Sequence, residues 1–270
     1  MKRLINQIPS KSINLFLGVL PFLLIVVVYV SSSNARLAQN PNDKLLPSVE
    51  KCIDSMSRMA FEKSKRSGEY ILLNDTLSSL KRLAMGVGIS ALFALMIGIS
   101  IGVIPYVTST LSPMIWFLSL VPTMAMLPIL FIVFGLGEVS KVVLIILGVA
   151  PIMTREIYQR VKEIPSEQII KVQTLGASTW QIITRVIVPQ VLPRLIDAIR
   201  LTLGTAWIFL ISAEAIAATE GLGYRIFLVR RYLAMDVILP YVIWITILAF
   251  LIDFILRQFN QRLFPWFGKE

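Results

Sequence analysis

Long runs of apolar residues alternate with short polar segments along most of the chain. Six of these runs fit the roughly 30 Å hydrocarbon core of a bilayer when they are taken as helices. They cover residues 13–30, 83–104, 112–134, 139–154, 192–218 and 237–256. Because lipid offers no hydrogen-bond partner to an exposed backbone, each run is predicted to be helical. The pattern therefore predicts an all-α, polytopic membrane protein with about six transmembrane helices.

The order of the runs divides the chain into four parts. They are an N-terminal anchor helix at 1–35, an extracytoplasmic loop at 36–80, a membrane-spanning body at 81–260 and a cytoplasmic tail at 261–270. Composition agrees with this plan, since 56% of residues are hydrophobic and only 16% are charged. The first run has a second interpretation as a cleavable signal peptide, because Lys2 and Arg3 precede it. Its apolar stretch exceeds the usual signal-peptide core, which favours a retained anchor.

Charge limits the choice of partner and of orientation. The formal net charge is +10, yet the basic residues are scattered over every loop and form no single stripe, so a nucleic-acid partner is not expected. The two candidate sides carry equal numbers of lysine and arginine once the long segment 31–80 is included. Long loops count less in the positive-inside rule, which favours cytoplasmic placement of both termini.

The residue inventory excludes several kinds of chemistry. The chain has no histidine and a single cysteine, Cys52, so a Ser-His-Asp or Cys-His catalytic site and a cysteine-based metal site cannot form within it. The phosphate-binding pattern G-x-x-x-x-G-K-[ST] is also missing from the sequence. We therefore expect no enzymatic activity, no cofactor and no metal, and ATP, if it is used, would bind to another subunit.

A polar segment between two apolar runs, residues 164–190, is predicted to be a docking surface for a soluble partner. Two short helices can meet at Gly176, because a residue without Cβ tolerates a sharp turn. The candidate contact residues surround that glycine and extend to the following proline. They are Thr174, Leu175, Gly176, Ala177, Ser178 and Pro189. The alternative is an ordinary glycine that ends a helix between two spans.

The same residues carry a family resemblance. Thr174 to Ser178, Arg185, Val188-Pro189 and Leu192-Pro193 resemble the permease subunits of ABC importers, most closely the family of nitrate, taurine, aliphatic sulfonate and bicarbonate permeases. Further stretches resemble that family in the same order, so that the resemblance covers roughly residues 45–267. They are Pro122 to Pro128, Phe134 to Glu138, Ala213 to Ala218 and Gly221 to Tyr224. The Glu-Ala-Ala that usually begins the family's loop falls on Ile170-Lys171-Val172 here, so any contact made by that acidic residue is lost.

The resemblance implies a type I ABC importer permease fold with a cytoplasmic coupling helix, in the bacterial inner membrane. It implies separate ABC ATPase subunits inside, a solute-binding protein outside and a second permease copy, with lipid around them. The solute would be small and similar to nitrate, sulfonate, taurine or bicarbonate, with a urea-like or guanidine-like compound as a further option. The rival interpretations are an ion-coupled secondary transporter, for which no inverted repeat is visible, and a membrane scaffold.

Polar and helix-breaking residues inside the spans are the candidates for a translocation path. Pro122, Met124 and Met126 lie where prolines can kink the third span and expose carbonyls, although a kink without solute contact is equally compatible. Ser212 and Glu214 lie in the fifth span, where an ionisable group marks either a transport role or a buried structural hydrogen bond. Arg225, Arg230 and Arg231 could attract an anion or a binding protein, or could anchor the segment at the interface.

Overall fold

The protein is described by a computed structural model, and residues 10–41, 43–64 and 68–267 are placed well enough to describe. The described residues form eleven α-helices, a 3₁₀ turn and a π-helical turn. The first six helices are α1 (Lys11–Gln39), α2 (Val49–Phe61), α3 (Ile71–Val103), α4 (Pro105–Ser119), α5 (Leu127–Phe134) and α6 (Glu138–Lys162). The others are α7 (Ser166–Thr174), α8 (Thr179–Ile182), α9 (Val188–Ala217), α10 (Leu222–Arg230) and α11 (Met235–Leu263).

The prediction of helical spans is confirmed, although with fewer clear spans than the sequence suggested. Four helices are long and apolar enough to cross a membrane, and a fifth span results if the bent pair at 105–134 is counted as one. The predicted run 139–154 lies inside α6, which is not one of these four helices. The sequence features at Lys2, Arg3 and the last three residues lie outside the described part of the chain.

Helices α3, α6 and α9 form the packed centre of the molecule. Glycines allow α3 to approach α6 closely, since a Cβ on Gly86 would lie 2.6 Å from Ile145 and one on Gly102 would lie 2.4 Å from Val161. A Cβ on Gly148 of α6 would lie 2.1 Å from the ring of Phe209 on α9. These glycines therefore let the three central helices pack closely against one another.

The third predicted span is broken rather than straight. Its two halves, Pro105–Ser119 and Thr123–Phe134, meet at an angle of 84°. Pro122 stands at the break, before a 3₁₀ turn at Thr123–Met126, and Pro128 falls in the first turn of α5. Both prolines thus occupy positions where a missing backbone N–H leaves no helical hydrogen bond unmade.

The N-terminal helix α1 lies apart from the packed centre. Its most apolar 18-residue window has none of its residues buried. Contacts occur at its C-terminal half, where the Tyr29 hydroxyl donates to the Pro47 carbonyl at 2.7 Å and Ser33 donates to the Leu46 carbonyl at 3.0 Å. In the last turn of α1, the Arg36 guanidinium donates to Asp43 and lowers the pKa of that carboxyl below its usual range. Helix α2 in turn is joined to α11 by a Ser55 to Asp236 hydrogen bond of 2.6 Å.

Candidate functional site

The polar segment between α6 and α9 folds as two short helices that meet at Gly176. Helix α7 ends at Thr174, Gly176 has φ +82°, and α8 begins at Thr179. Ser178 caps α8 through a capping box, because its hydroxyl accepts from the Gln181 N–H at 3.4 Å and the Gln181 side chain accepts from the Ser178 N–H at 2.8 Å. The predicted turn at Gly176 is present, and we call residues 164–190 the elbow.

The elbow presents large apolar side chains to its surroundings. Leu175 is 80% exposed and Trp180 is 71% exposed, and Ile170 is also exposed. No residue of α7 is buried. Other elbow residues support this surface from the side of the helix bundle. Ala177 packs against the hydrophobic core, and Ile182 and Ile187 are buried. Exposed apolar residues on a well-supported turn are typical of a surface that another protein covers.

Polar contacts fix the elbow to the ends of its two neighbouring helices. Gln190 donates to the side chain of Gln168 at 3.2 Å, which ties the start of α9 to α7. At the end of α6, the Arg160 guanidinium donates to Glu156 and Glu163 at 2.5 and 2.9 Å. These two carboxylates, Glu156 foremost, raise the pKa of Arg160, which therefore stays charged beside the elbow. The elbow is thus a preformed surface and requires no large ordering when a partner binds.

A second polar site lies at the opposite end of α9, around Arg82. The guanidinium donates to Glu138 at 2.5 and 2.9 Å, to Glu214 at 2.8 Å and to the Glu220 carbonyl at 2.9 Å. Arg82 is 2% exposed and Glu214 is 0% exposed. Lys141 also donates to Glu138 at 2.7 Å. The N-terminal half of α3, the first turn of α6 and the last turn of α9 are therefore joined through one buried arginine.

The turn that follows α9 wraps around the same carboxylates. The Gly223 N–H donates to Glu214 at 2.8 Å, the Leu222 N–H donates to the Ser79 hydroxyl at 2.9 Å, and that hydroxyl donates to Glu214 at 2.8 Å. Gly221 has φ +122°, and a Cβ there would lie 2.6 Å from the Glu214 carboxyl carbon. Only glycine fits this position without strain.

Asp75 extends these contacts to α10 and α11. Its carboxylate accepts from the Gly221 N–H at 3.0 Å, from Arg225 at 2.8 Å and from the Tyr241 hydroxyl at 3.1 Å. We call the whole set the Arg82 cluster. It consists of Asp75, Ser79, Arg82, Glu138, Lys141, Glu214, Glu220 and Arg225. Each positively charged side chain of the cluster is hydrogen-bonded to a carboxylate of the cluster. Buried ions are stable only when they are paired in this way.

The structure separates the candidate residues for a translocation path. Pro122 and Met124 are exposed and Met126 is half-buried, on a turn that packs mainly against α5 and α6. Ser212 lies on α9 and donates to the Ile208 carbonyl of its own helix at 2.7 Å. Glu214 is enclosed in the Arg82 cluster, so its carboxylate has no free surface in this conformation.

Several members of the Arg82 cluster were not identified from the sequence, among them Asp75, Ser79 and Arg82. Asp75, Ser79 and Arg82 fall in a stretch taken for loop and span boundary, whereas α3 begins at Ile71 and buries all three. The available signal was their spacing, since positions four and three apart lie on one helical face. Elsewhere on α9, Asp197 and Arg200 form an ion pair at 3.3 Å, and Arg200 also binds Asp253 on α11 at 2.8 Å.

The fold and the two polar sites define a polytopic helical membrane protein with an exposed apolar elbow at one end of its bundle. The chain belongs to the family of binding-protein-dependent transport system inner membrane components, whose model matches residues 86–266. It is a transport permease, and the interpretations as a secondary transporter or a scaffold are set aside.

Two relatives and one solved structure show how far the similarity extends. The taurine transport system permease protein TauC of Escherichia coli (strain K12) is 38% identical over 192 residues, which are 71% of this chain and 70% of TauC. The bicarbonate transport system permease protein CmpB of Synechococcus elongatus is 27% identical over 240 residues, 87% of this chain and 84% of CmpB. A chain of the MetNI methionine ABC transporter, in an inward-facing conformation, superposes with a TM-score of 0.60 at 24% identity and covers 74% of this chain and 99% of its own length. The last likeness supports the fold.

Proposed function

We propose that this chain is the membrane-spanning subunit of an ATP-driven importer, and that its elbow binds a separate ATPase subunit. The observation that carries the proposal is the exposed apolar surface of Leu175 and Trp180, held on a preformed turn at one end of the bundle. The contact residues would be those around the turn, with Pro189 at the start of α9 behind them. They are Thr174, Leu175, Gly176, Ala177 and Ser178.

The orientation follows from that proposal. An ATPase is cytoplasmic, so the elbow faces the cytoplasm and the Arg82 cluster faces the other side, where a solute-binding protein would deliver its solute. Residues 164–190 and the end of α11 then lie inside, together with both termini. Arg230 and Arg231 are exposed at the outer face, whereas Arg225 is bonded to Asp75 and is less available to a partner.

A second copy of the chain is part of the same proposal. Leu201 of α9 and Ile132 of α5 are among the most exposed apolar residues, and the described cavities lie near helix ends rather than through the packed centre of the bundle. A passage between two copies uses such faces, and two-fold pairing is the commonest symmetry of homo-oligomers. The path would run past Pro122, Met124, Met126 and Ser212. Glu214 would not line the path itself but would support it from its buried position in the Arg82 cluster. Lipid would cover the remaining apolar faces.

The solute is proposed from the relatives, because TauC is named for taurine and CmpB for bicarbonate. Both are small and carry an anionic group. We therefore propose a small anion or zwitterion of this kind. Calorimetric titration of the partner binding protein with taurine, an alkane sulfonate, bicarbonate and nitrate would measure its affinity for each solute. If none of these binds at micromolar concentration, this solute class is excluded.

Substitution of the exposed elbow residues tests the proposed partner. We expect Leu175→Asp combined with Trp180→Ala to reduce copurification of the ATPase, and its ATP hydrolysis in the reconstituted complex, at least ten-fold, because an interface loses its apolar anchors. Gly176→Val should act in the same direction through its left-handed φ, which disfavours a Cβ.

A matched control separates docking from folding. Phe61 is 81% exposed at the end of α2, distant from the elbow in sequence and at the other end of the bundle, and Phe61→Ala should leave copurification unchanged. Unchanged copurification in the Leu175 and Trp180 variant, with normal membrane insertion, would exclude the elbow as the ATPase site.

A further inference from the structure

The Arg82 cluster lies at the far end of the longest continuous helix that leaves the elbow. Residues Thr179–Ala217 form 39 residues of helix, through the π-helical turn at Ile183–Ile187. Glu214 is one turn from the end of this helix, and Gly221 lies four residues after its last residue, Ala217. At about 1.5 Å per residue, the 24 positions from Gln190, the last residue of the elbow, to Glu214 span about 36 Å along the helix axis. The two sites therefore occupy opposite ends of the same element.

The cluster joins elements that otherwise end independently. Arg82 contributes from α3, Glu138 from the first residue of α6, and Glu214 from α9, and the three side chains meet within 2.5 to 2.9 Å. A fork-shaped guanidinium fixes direction as well as distance when it binds one carboxylate through two donors, as it does with Glu138. The turn at 218–223 is added through three backbone N–H donors.

The pairs in the cluster are too well satisfied to serve as a solute site. Both Glu214 oxygens accept hydrogen bonds, and the Arg82 Nε, Nη1 and Nη2 atoms all donate. Breaking such a pair strands a buried charge, so the pair resists separation of the helices that carry it. Close glycine contacts at Gly86 and Gly148 hold the same three helices together nearer their middles. The charges therefore add stiffness where the glycine contacts end.

We propose that Arg82 and Glu214 are positioning residues for transport, which make the outer ends of α3, α6 and α9 and the turn at 218–223 move as one body. This inference rests on the proposed function, because the movement that it transmits is the one an ATPase imposes on the elbow. A displacement of the elbow then moves the outer face by a similar amount, because the helix ends do not separate from one another. Helix α1 lies outside this body.

Distance measurements between spin labels test the single-body claim on the membrane-reconstituted chain. In a Cys52→Ser background, labels at Val139→Cys on α6 and Ile216→Cys on α9 occupy exposed positions beside the cluster. We expect a narrow distance distribution for the otherwise native chain and at least a doubling of its width in the Arg82→Gln/Glu214→Gln variant. This variant removes both charges of the fully buried pair, so no Arg82 or Glu214 ion is left alone.

Two further variants keep the test decisive. If the double variant does not insert, Glu138→Gln, which removes a partly exposed partner of Arg82, should broaden the distribution to a smaller extent. The matched control is Arg200→Gln, which breaks a partly exposed ion pair between α9 and α11 away from the cluster and should leave the distribution unchanged. A width equal to that of the native chain in both cluster variants would overturn the proposal.

Transmission is measured in the complex with its ATPase. A fluorophore at Ile216→Cys should change its emission between the nucleotide-free and ATP-bound states, and the cluster variant should reduce that change at least three-fold while ATP hydrolysis stays within two-fold. A full emission change in the cluster variant would overturn the positioning role. Failure of the native complex to bind an ATPase would instead refute the proposed function, and the label distances would still decide whether the helix ends form one body.

Discussion

Replacing Arg82 with alanine should lower the free energy of unfolding by about 3 to 5 kcal/mol, because it leaves the Glu214 carboxylate buried without its cationic partner. Arg82 is 2% exposed and bonds to carboxylates from two other helices, so the loss is not repaired by water at the surface. Thermal unfolding of the detergent-purified protein, followed by tryptophan fluorescence, measures the effect as a fall in midpoint temperature.

An arginine in a more exposed pair provides the control for Arg82. Arg36 pairs with Asp43 between α1 and α2, and its side chain is about half exposed. Exposed pairs contribute about 0 to 1 kcal/mol, so Arg36→Ala should hardly move the midpoint. Equal midpoints for the two variants would show that the Arg82 cluster does not stabilise the fold.

Gly148→Val should destabilise the protein by about 3 kcal/mol or more, at the upper end of the range for overpacked cores. A Cβ at Gly148 would lie 2.1 Å from the Phe209 ring, and valine adds two further methyl groups there. Since Phe209 belongs to α9, the substitution should force apart α6 and α9, the two helices that the elbow connects. The same unfolding experiment, and the yield of protein in the membrane, measure this.

Gly88→Val is the matched substitution, because Gly88 is also inside a membrane helix but a Cβ there meets no atom within 4 Å. Valine and glycine differ by only a few tenths of a kcal/mol in helix propensity, in favour of valine. We therefore expect little change for Gly88→Val. A Gly148→Val protein as stable as the Gly88→Val protein would mean that α6 and α9 do not pack as described.

The elbow could be predicted from the sequence because its cause is local. Gly176 permits φ +82° by lacking a Cβ, and Ser178 and Gln181 are three residues apart, the spacing of a capping box. Helix α7 begins at Ser166, directly after Pro165. The family resemblance, which covers roughly residues 45–267 in the sequence, is confirmed by the match over residues 86–266.

The Arg82 cluster could not be predicted in the same way because its bonds join residues far apart in the chain. Arg82 and Glu214 are separated by 132 positions, and Asp75 and Tyr241 by 166. Hydropathy also works against its detection, since a charged stretch at the start of α3 scores as a loop until its partners are known. The break at Pro122 was anticipated as a kink, but its angle of 84° depends on how α4 and α5 pack.

The sequence by itself determined that this protein is a helical membrane permease with a turn at Gly176, because hydrophobic length and backbone freedom are properties of neighbouring residues. Only the tertiary structure decided what the charges inside the spans do. A buried ion is stable only beside its partner, and the partners of Arg82 come from α6, α9 and the turn after α9. From the sequence, Glu214 could have either a transport role or a buried structural hydrogen bond. Long-range pairing placed it inside the cluster that joins the helix ends.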